Sequence, residues 1–269
     1  MFQQVIDFRD ESEALYELLA PLADEQFARP TQFKDWTIDD VIGHLHIWNR
    51  AAALSLQDPE AFQEFFAEVM AAVQDGGMRA FERECRGELA GRELLEAWRE
   101  FYLPMCERFG EADPKTRVQW AGPEMSVRSS ITARHMETWA HGQEVYDELG
   151  VVRRDTDRIR NIVVLGINTF GWTFRNRGLE IPEQPPFVRL DAPSGAVWEF
   201  NEPSDLNCVA GDATQFCQVV TQTRNVADTN LDVKGETAIR WLAMAQCFAG
   251  PPEDPPQPGT RYTAGRTPR

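Results

Sequence analysis

Up to about residue 175 the apolar side chains recur at helical spacing; after the segment PEQPP at 182–186 they do not. That change of period constrains the fold more than any other feature of the chain. Segments at about 3–22, 37–57, 60–74, 89–110, 126–149 and 155–175 read as helices. Thr37 stands where an N-cap belongs, with Asp40 in the acidic position three residues on. Asp58-Pro59 breaks one helix, Gly76-Gly77 ends the next, Ser126 caps a long one, and Gly150 stands at its C-terminal end. Long amphipathic helices with modest connections predict an antiparallel bundle over residues 1–178. Beyond Ile181 come short β-rich runs at 187–190, 196–200, 207–210 and 231–233. A helix carrying Phe216, Val219 and Val220 is expected after Gly211-Asp212, and another over 236–248. These form a small α/β domain over 186–250, and the fold class is α+β. Residues 251–269 are proline-rich with almost no apolar side chain, which predicts a disordered tail.

Charge divides the chain in the same way. Residues 1–150 hold 14 Lys and Arg against 29 Asp and Glu, and 151–269 hold 13 against 14. So acidic a surface repels phosphate backbones and anionic lipid, which disfavours nucleic acid as a partner of the first part. No apolar run reaches the length of a membrane span. The start, MFQQVIDFRDESEALYELL, lacks the basic and apolar regions of a secretory signal, so a cytoplasmic protein is expected. The cysteines, Cys85, Cys106, Cys208, Cys217 and Cys247, are odd in number and form no CxxC pair. That argues against a disulfide framework or zinc ribbon and for reduced thiols, mostly buried.

The four histidines lie on two helices. His44 shares the inward face with Val41 and Trp48, whereas His46 turns away with Asp39 and Arg50 toward solvent. Glu137 and His141 stack on one face at i and i+4, and His135 points almost oppositely with Ile131 and Trp139. A carboxylate and an imidazole so spaced can chelate one ion, and an imidazole from a facing helix completes a three-ligand set with an open position. Such a set suits catalytic zinc, nickel or iron. Hydrogen-bonded core histidines and a surface Glu/His pair account for the same spacing, and Glu144 and Glu148 continue the Glu137 face.

The stretches DWTIDDVIGHLHIWN and HMETWAHGQEVYDELG resemble the DinB/YfiT-like metal-binding four-helix-bundle superfamily, and more closely its mycothiol-dependent maleylpyruvate isomerase branch. Trp36, Thr37, Asp40 and His44 fit that branch's W-T/S-x-x-D-x-x-x-H pattern. The resemblance implies a divalent metal, zinc favoured, on His44, Glu137 and His141. It implies a second domain like a sterol carrier, and a low-molecular-weight thiol such as mycothiol or bacillithiol adding to a small electrophilic substrate. Isomerisation or thiol transfer would follow. A homodimer is a further expectation. Within this resemblance Glu144 is a candidate for proton transfer against a solvated surface carboxylate. Arg134, Arg224 and Arg240 are candidates for meeting an anionic substrate, against a helix-surface ion pair for Arg134. Trp36, Trp48, Trp139 and Trp172 read as core.

Two other readings stand beside this one. The first is a metal-stabilised module that binds a small ligand or lipid without catalysis. The second is a tRNA-modification role through the C-terminal part, which resembles a module linked to wyosine formation. Wyosine chemistry needs an iron–sulfur cluster, and the chain has no clustered cysteine triad.

Overall fold

The computed structural model describes residues 1–75 and 77–265. They form two compact units, Met1–Val145 and Tyr146–Arg269. The first is helical: α1 (Gln3–Leu19), α2 (Ile38–Gln57), α3 (Pro59–Asp75), α4 (Met78–Arg86), α5 (Gly91–Glu111) and the larger part of α6 (Val127–Glu148). A two-stranded ribbon, β1 (Arg117–Val118) and β2 (Met125–Ser126), precedes α6. No helix among the described residues is long and apolar enough to cross a membrane.

The long helices each turn an apolar stripe inward, burying Phe8, Leu15, Val41, Leu45, Trp98, Ile131 and Trp139. Each such side chain contributes about 1.5–3 kcal/mol on leaving water. Contacts fix the helix directions. Glu13 meets Arg99 and Tyr16 meets Glu96, so α1 and α5 are antiparallel. His44 and Asn49 meet Glu137 and Arg134 in reversed order, so α2 and α6 are antiparallel too. By contrast α2 and α5 run parallel, Asp39 meeting Gly91 and His46 meeting Phe101. The short α3–α4 excursion between them returns the chain to its starting end.

Helix α2 starts as its residues dictate. Thr37 Oγ1 accepts from Asp40 N, and Thr37 N donates to Asp40 Oδ2, both at 3.1 Å. Helix α4 is absent from the sequence reading. Of the two glycines expected to end α3, Gly76 lies outside the described residues and Gly77 has φ +85°.

The second unit contains α7 (Arg160–Asn168), α8 (Phe170–Asn176), β3 (Phe187–Asp191), β4 (Val197–Phe200), β5 (Cys208–Asp212), α9 (Ala213–Val220), β6 (Asp232–Lys234) and α10 (Glu236–Leu242). The sheet order is β4-β3-β5-β6, with β3 and β5 parallel and the other pairs antiparallel. Val188, Leu190, Trp198 and Val209 bury its inner side, and Phe216, Val219, Trp241 and Leu242 bury the faces of α9 and α10. The helix expected over 155–175 is two. Thr169 Oγ1 bonds back to the carbonyls of Leu165 and Gly166, and the turn breaks there. The unit boundary lies inside α6 and not at PEQPP, because α7 and α8 bury Ile162, Val163, Phe170 and Phe174 with the sheet and its helices.

The expected disordered tail is ordered through 265. Gln222 Nε2 donates to the Glu253 carbonyl at 2.8 Å, Asn225 Nδ2 to that of Pro256 at 2.8 Å, and Gly259 N to Asp228. Ala264 N donates to the Asp147 carbonyl at 2.8 Å. Residues 266–269 of that tail lie outside the described residues.

Candidate metal centre

His44 of α2 and Glu137 and His141 of α6 lie together within the first unit. Each offers one ligand atom, and these atoms lie within 4.8 Å of one another. Glu137 Oε2 is 3.5 Å from His44 Nε2 and 3.4 Å from His141 Nε2. The imidazole rings of His44 and His141 stand edge to face with centroids 4.6 Å apart. His44 Nε2 is buried and has no hydrogen-bond partner. An unmet nitrogen aimed at a carboxylate and a second imidazole is what a cation would satisfy. Two imidazoles and one carboxylate form a donor set suited to zinc and neighbouring divalent ions.

The other nitrogen of His44 is held from behind. Glu82 of α4 accepts from His44 Nδ1 at 2.8 Å and, through the same oxygen, from Trp48 Nε1 at 2.8 Å. Glu82 is 5% exposed. The arrangement fixes the orientation of the His44 ring, with Nε2 toward Glu137, as outer carboxylates do for metal-ligating histidines. Electrostatics follow from these contacts. Burial works against a charged His44 ring, but the Glu82 charge and the Glu137 carboxylate 3.5 Å away outweigh it and raise it to about 9. Burial lowers His141, the Glu137 bond opposing it and the His44 charge adding to it. Burial would raise Glu137, yet its two histidine neighbours hold it well below the usual carboxylate range.

A family model for the mycothiol maleylpyruvate isomerase N-terminal domain matches residues 8–146, more than half of the chain. The chain belongs to this family. It is 40% identical over 251 residues to two uncharacterised proteins of Mycobacterium tuberculosis strains, covering 92% of this chain and 96% of each of theirs. A crystal structure of the mycothiol-dependent maleylpyruvate isomerase superposes with a TM-score of 0.54 at 15% identity, covering 80% of this chain and 86% of that one. A histidine-to-alanine mutant of the isomerase gives 0.52 at 16%, with the same coverage. At that identity the likeness shows a shared fold.

Within this family member the W-T-x-x-D-x-x-x-H stretch serves one wall of the centre. Trp36, expected in the core, is only partly buried and stacks flat on His141, with centroids 5.5 Å apart and planes 3° apart. Phe33 meets the same ring edge-on at 5.2 Å. Their loop turns through Lys34 and Asp35 at φ +50° and +55°, and Arg79 of α4 bonds both of those carbonyls. Asp40 is buried and takes bonds from Arg79 and Arg83 at 2.8 Å. Helix α4 therefore holds both the aromatic loop and the His44 ring.

Several expectations are corrected. His46 is not solvent-facing: it packs edge-on against Phe101 at 5.5 Å, because α5 covers that side of α2, and burial lowers it to about 4. Glu144 is not a solvated surface carboxylate: it is 2% exposed. Arg134 is neither a surface partner nor exposed: it is 2% exposed and donates from Nε to Asn49 Oδ1 at 3.0 Å. Arg224 is bound to Asp147 at 2.7 Å inside the second unit, and Arg240 is exposed over the Phe174 ring. Trp172, like Trp36, is only partly buried, whereas Trp48 and Trp139 are core. His135 does turn away from the centre, fully buried, with Nε2 3.9 Å from Glu11. Glu82 and Phe33 are the site residues that the sequence did not single out.

Proposed function

We propose that the chain binds a divalent metal, zinc favoured, on His44, Glu137 and His141, and works with a low-molecular-weight thiol of the mycothiol type on a small electrophile, as an isomerase or transferase. The observation that carries this reading is the convergence of the three donors with Glu82 fixed behind His44. Family membership and the shared fold support the thiol, since the matched structure is of a mycothiol-dependent enzyme. A divalent metal held there lowers the pKa of a thiol and keeps it as a nucleophilic thiolate.

The chain's own residues contribute order and exclusion of water. Glu82 and Trp48 lock the His44 ring, so its Nε2 is presented in one direction. Trp36 and Phe33 cover His141 on two sides and form an apolar wall beside the donors. A thiol and a small electrophile placed against that wall are held close, which lowers the entropic part of the barrier.

Titration with a small thiol tests the reading. Protein loaded with one equivalent of metal is expected to bind the thiol, and metal-free protein and His44→Ala are expected not to. Metal uptake without any thiol signal would favour the non-catalytic module instead.

A further inference from the structure

Arg134 lies one turn before Glu137 on the same face of α6. The antiparallel α2 brings Asn49 beside it, one layer along the bundle from His44 and His141. Both side chains are almost wholly buried. Arg134 Nη2 and Asn49 Nδ2 are buried donors without an acceptor. An unmet guanidinium donor is costly to bury and calls for an explanation. The charges acting on Arg134 are Glu137 and Glu82, the two carboxylates of the candidate centre. Burial lowers the guanidinium to about 10, which leaves it charged at neutral pH.

We infer that Arg134 is the buried countercharge of this centre, a positioning residue that lets the loaded site hold an anionic thiolate sulfur. The inference rests on the metal and thiol reading proposed above. Of the two carboxylate charges, Arg134 offsets one. With neutral imidazoles, a divalent cation among these three side chains leaves one net positive charge, which attracts one further anion. Without Arg134 the same set is neutral when loaded. The guanidinium therefore weakens the cation's binding and strengthens the anion's, a pair of effects with opposite sign. An arginine that served only packing would change both in the same direction when removed.

Calorimetric titration of the full chain with Co2+, then of the Co2+-loaded protein with 2-mercaptoethanol, separates these cases. The Co2+–thiolate absorption band gives a second readout of sulfur binding. Arg134→Met is expected to bind Co2+ about tenfold tighter and 2-mercaptoethanol about tenfold more weakly, with a fainter band. Arg134→Lys keeps the charge and is expected to stay within about threefold of the natural protein in both. If Arg134→Met does not fold, Arg134→Gln against Arg134→Lys makes the same comparison. Loss of both affinities together, or an unchanged thiol affinity in the neutral variant, overturns the inference while leaving the metal reading intact. A natural protein that takes up no Co2+ overturns the metal reading itself, and this inference with it.

Discussion

A histidine that offers one ring nitrogen outward is only as well aimed as the partner on its other nitrogen. In His44 that partner is Glu82, reached across 38 positions of sequence. Replacing it by glutamine removes the carboxylate but keeps the volume. Glu82→Gln is expected to weaken metal binding about 10–100-fold with little change in the far-ultraviolet circular dichroism spectrum; calorimetric metal titration at fixed pH gives the answer. Unchanged affinity would mean that Trp48 and the packing alone orient the ring. His44, Glu137 and His141 were legible because helical geometry ties position in sequence to position on a face. Glu82 was not, because its role comes from a helix packed across the bundle. Trp36 was misread for a related reason: tryptophan is usually core, and only the turn at Lys34 and Asp35 lays it on His141.

At the level of elements, α4 accounts for most of what the sequence concealed. It is nine residues long, follows the glycine pair, and carries more arginine and glutamate than apolar side chains, so it is easily passed over as a charged connection although its apolar and charged faces are cleanly divided. Its place is fixed by charge. Burial would raise the Asp40 carboxyl, but bonds from Arg83, the Thr37 backbone and Arg79 outweigh it and hold it well below the ordinary carboxylate range. A carboxyl with a folded pKa below its unfolded value stabilises the fold above about pH 4 and loses that contribution as pH falls toward the folded value. Asp40→Asn is therefore expected to cost about 1–3 kcal/mol near neutral pH, allowing for the partly exposed arginines, and progressively less below about pH 4. Urea unfolding of both proteins at pH 7 and pH 3 measures this. An equal difference at the two pH values would show that Asp40 acts through its helix cap alone. The long helices and the strands were readable within a few residues, because their apolar spacing is set locally.

On the scale of the whole molecule, composition gave the fold class but misplaced two features. The second unit takes in α7 and α8, and its last segment is held although it contains few apolar side chains. What holds it is the polar side chains of Gln222, Asn225, Asp228 and Asp147, bound to its backbone or to Thr263. Such pairing leaves no trace in hydropathy. Removal of residues 251–269 strips partners from these groups and is expected to lower the thermal midpoint by several degrees, read by calorimetry. An unchanged midpoint would mean that the segment adds nothing to stability. The acidic excess of residues 1–150 has a related lesson: of the carboxylates aligned on the Glu137 face, Glu137 itself belongs to the donor set, and the second carboxylate of the centre, Glu82, comes from another helix.

The central claim is that His44, Glu137 and His141 hold one divalent ion, and metal stoichiometry tests it most directly. Protein purified without chelator and assayed by elemental analysis is expected to carry about one equivalent of a divalent metal. His44→Ala and His141→Ala, folded by circular dichroism, are expected to carry almost none. Metal retained at full stoichiometry in both variants would contradict the account.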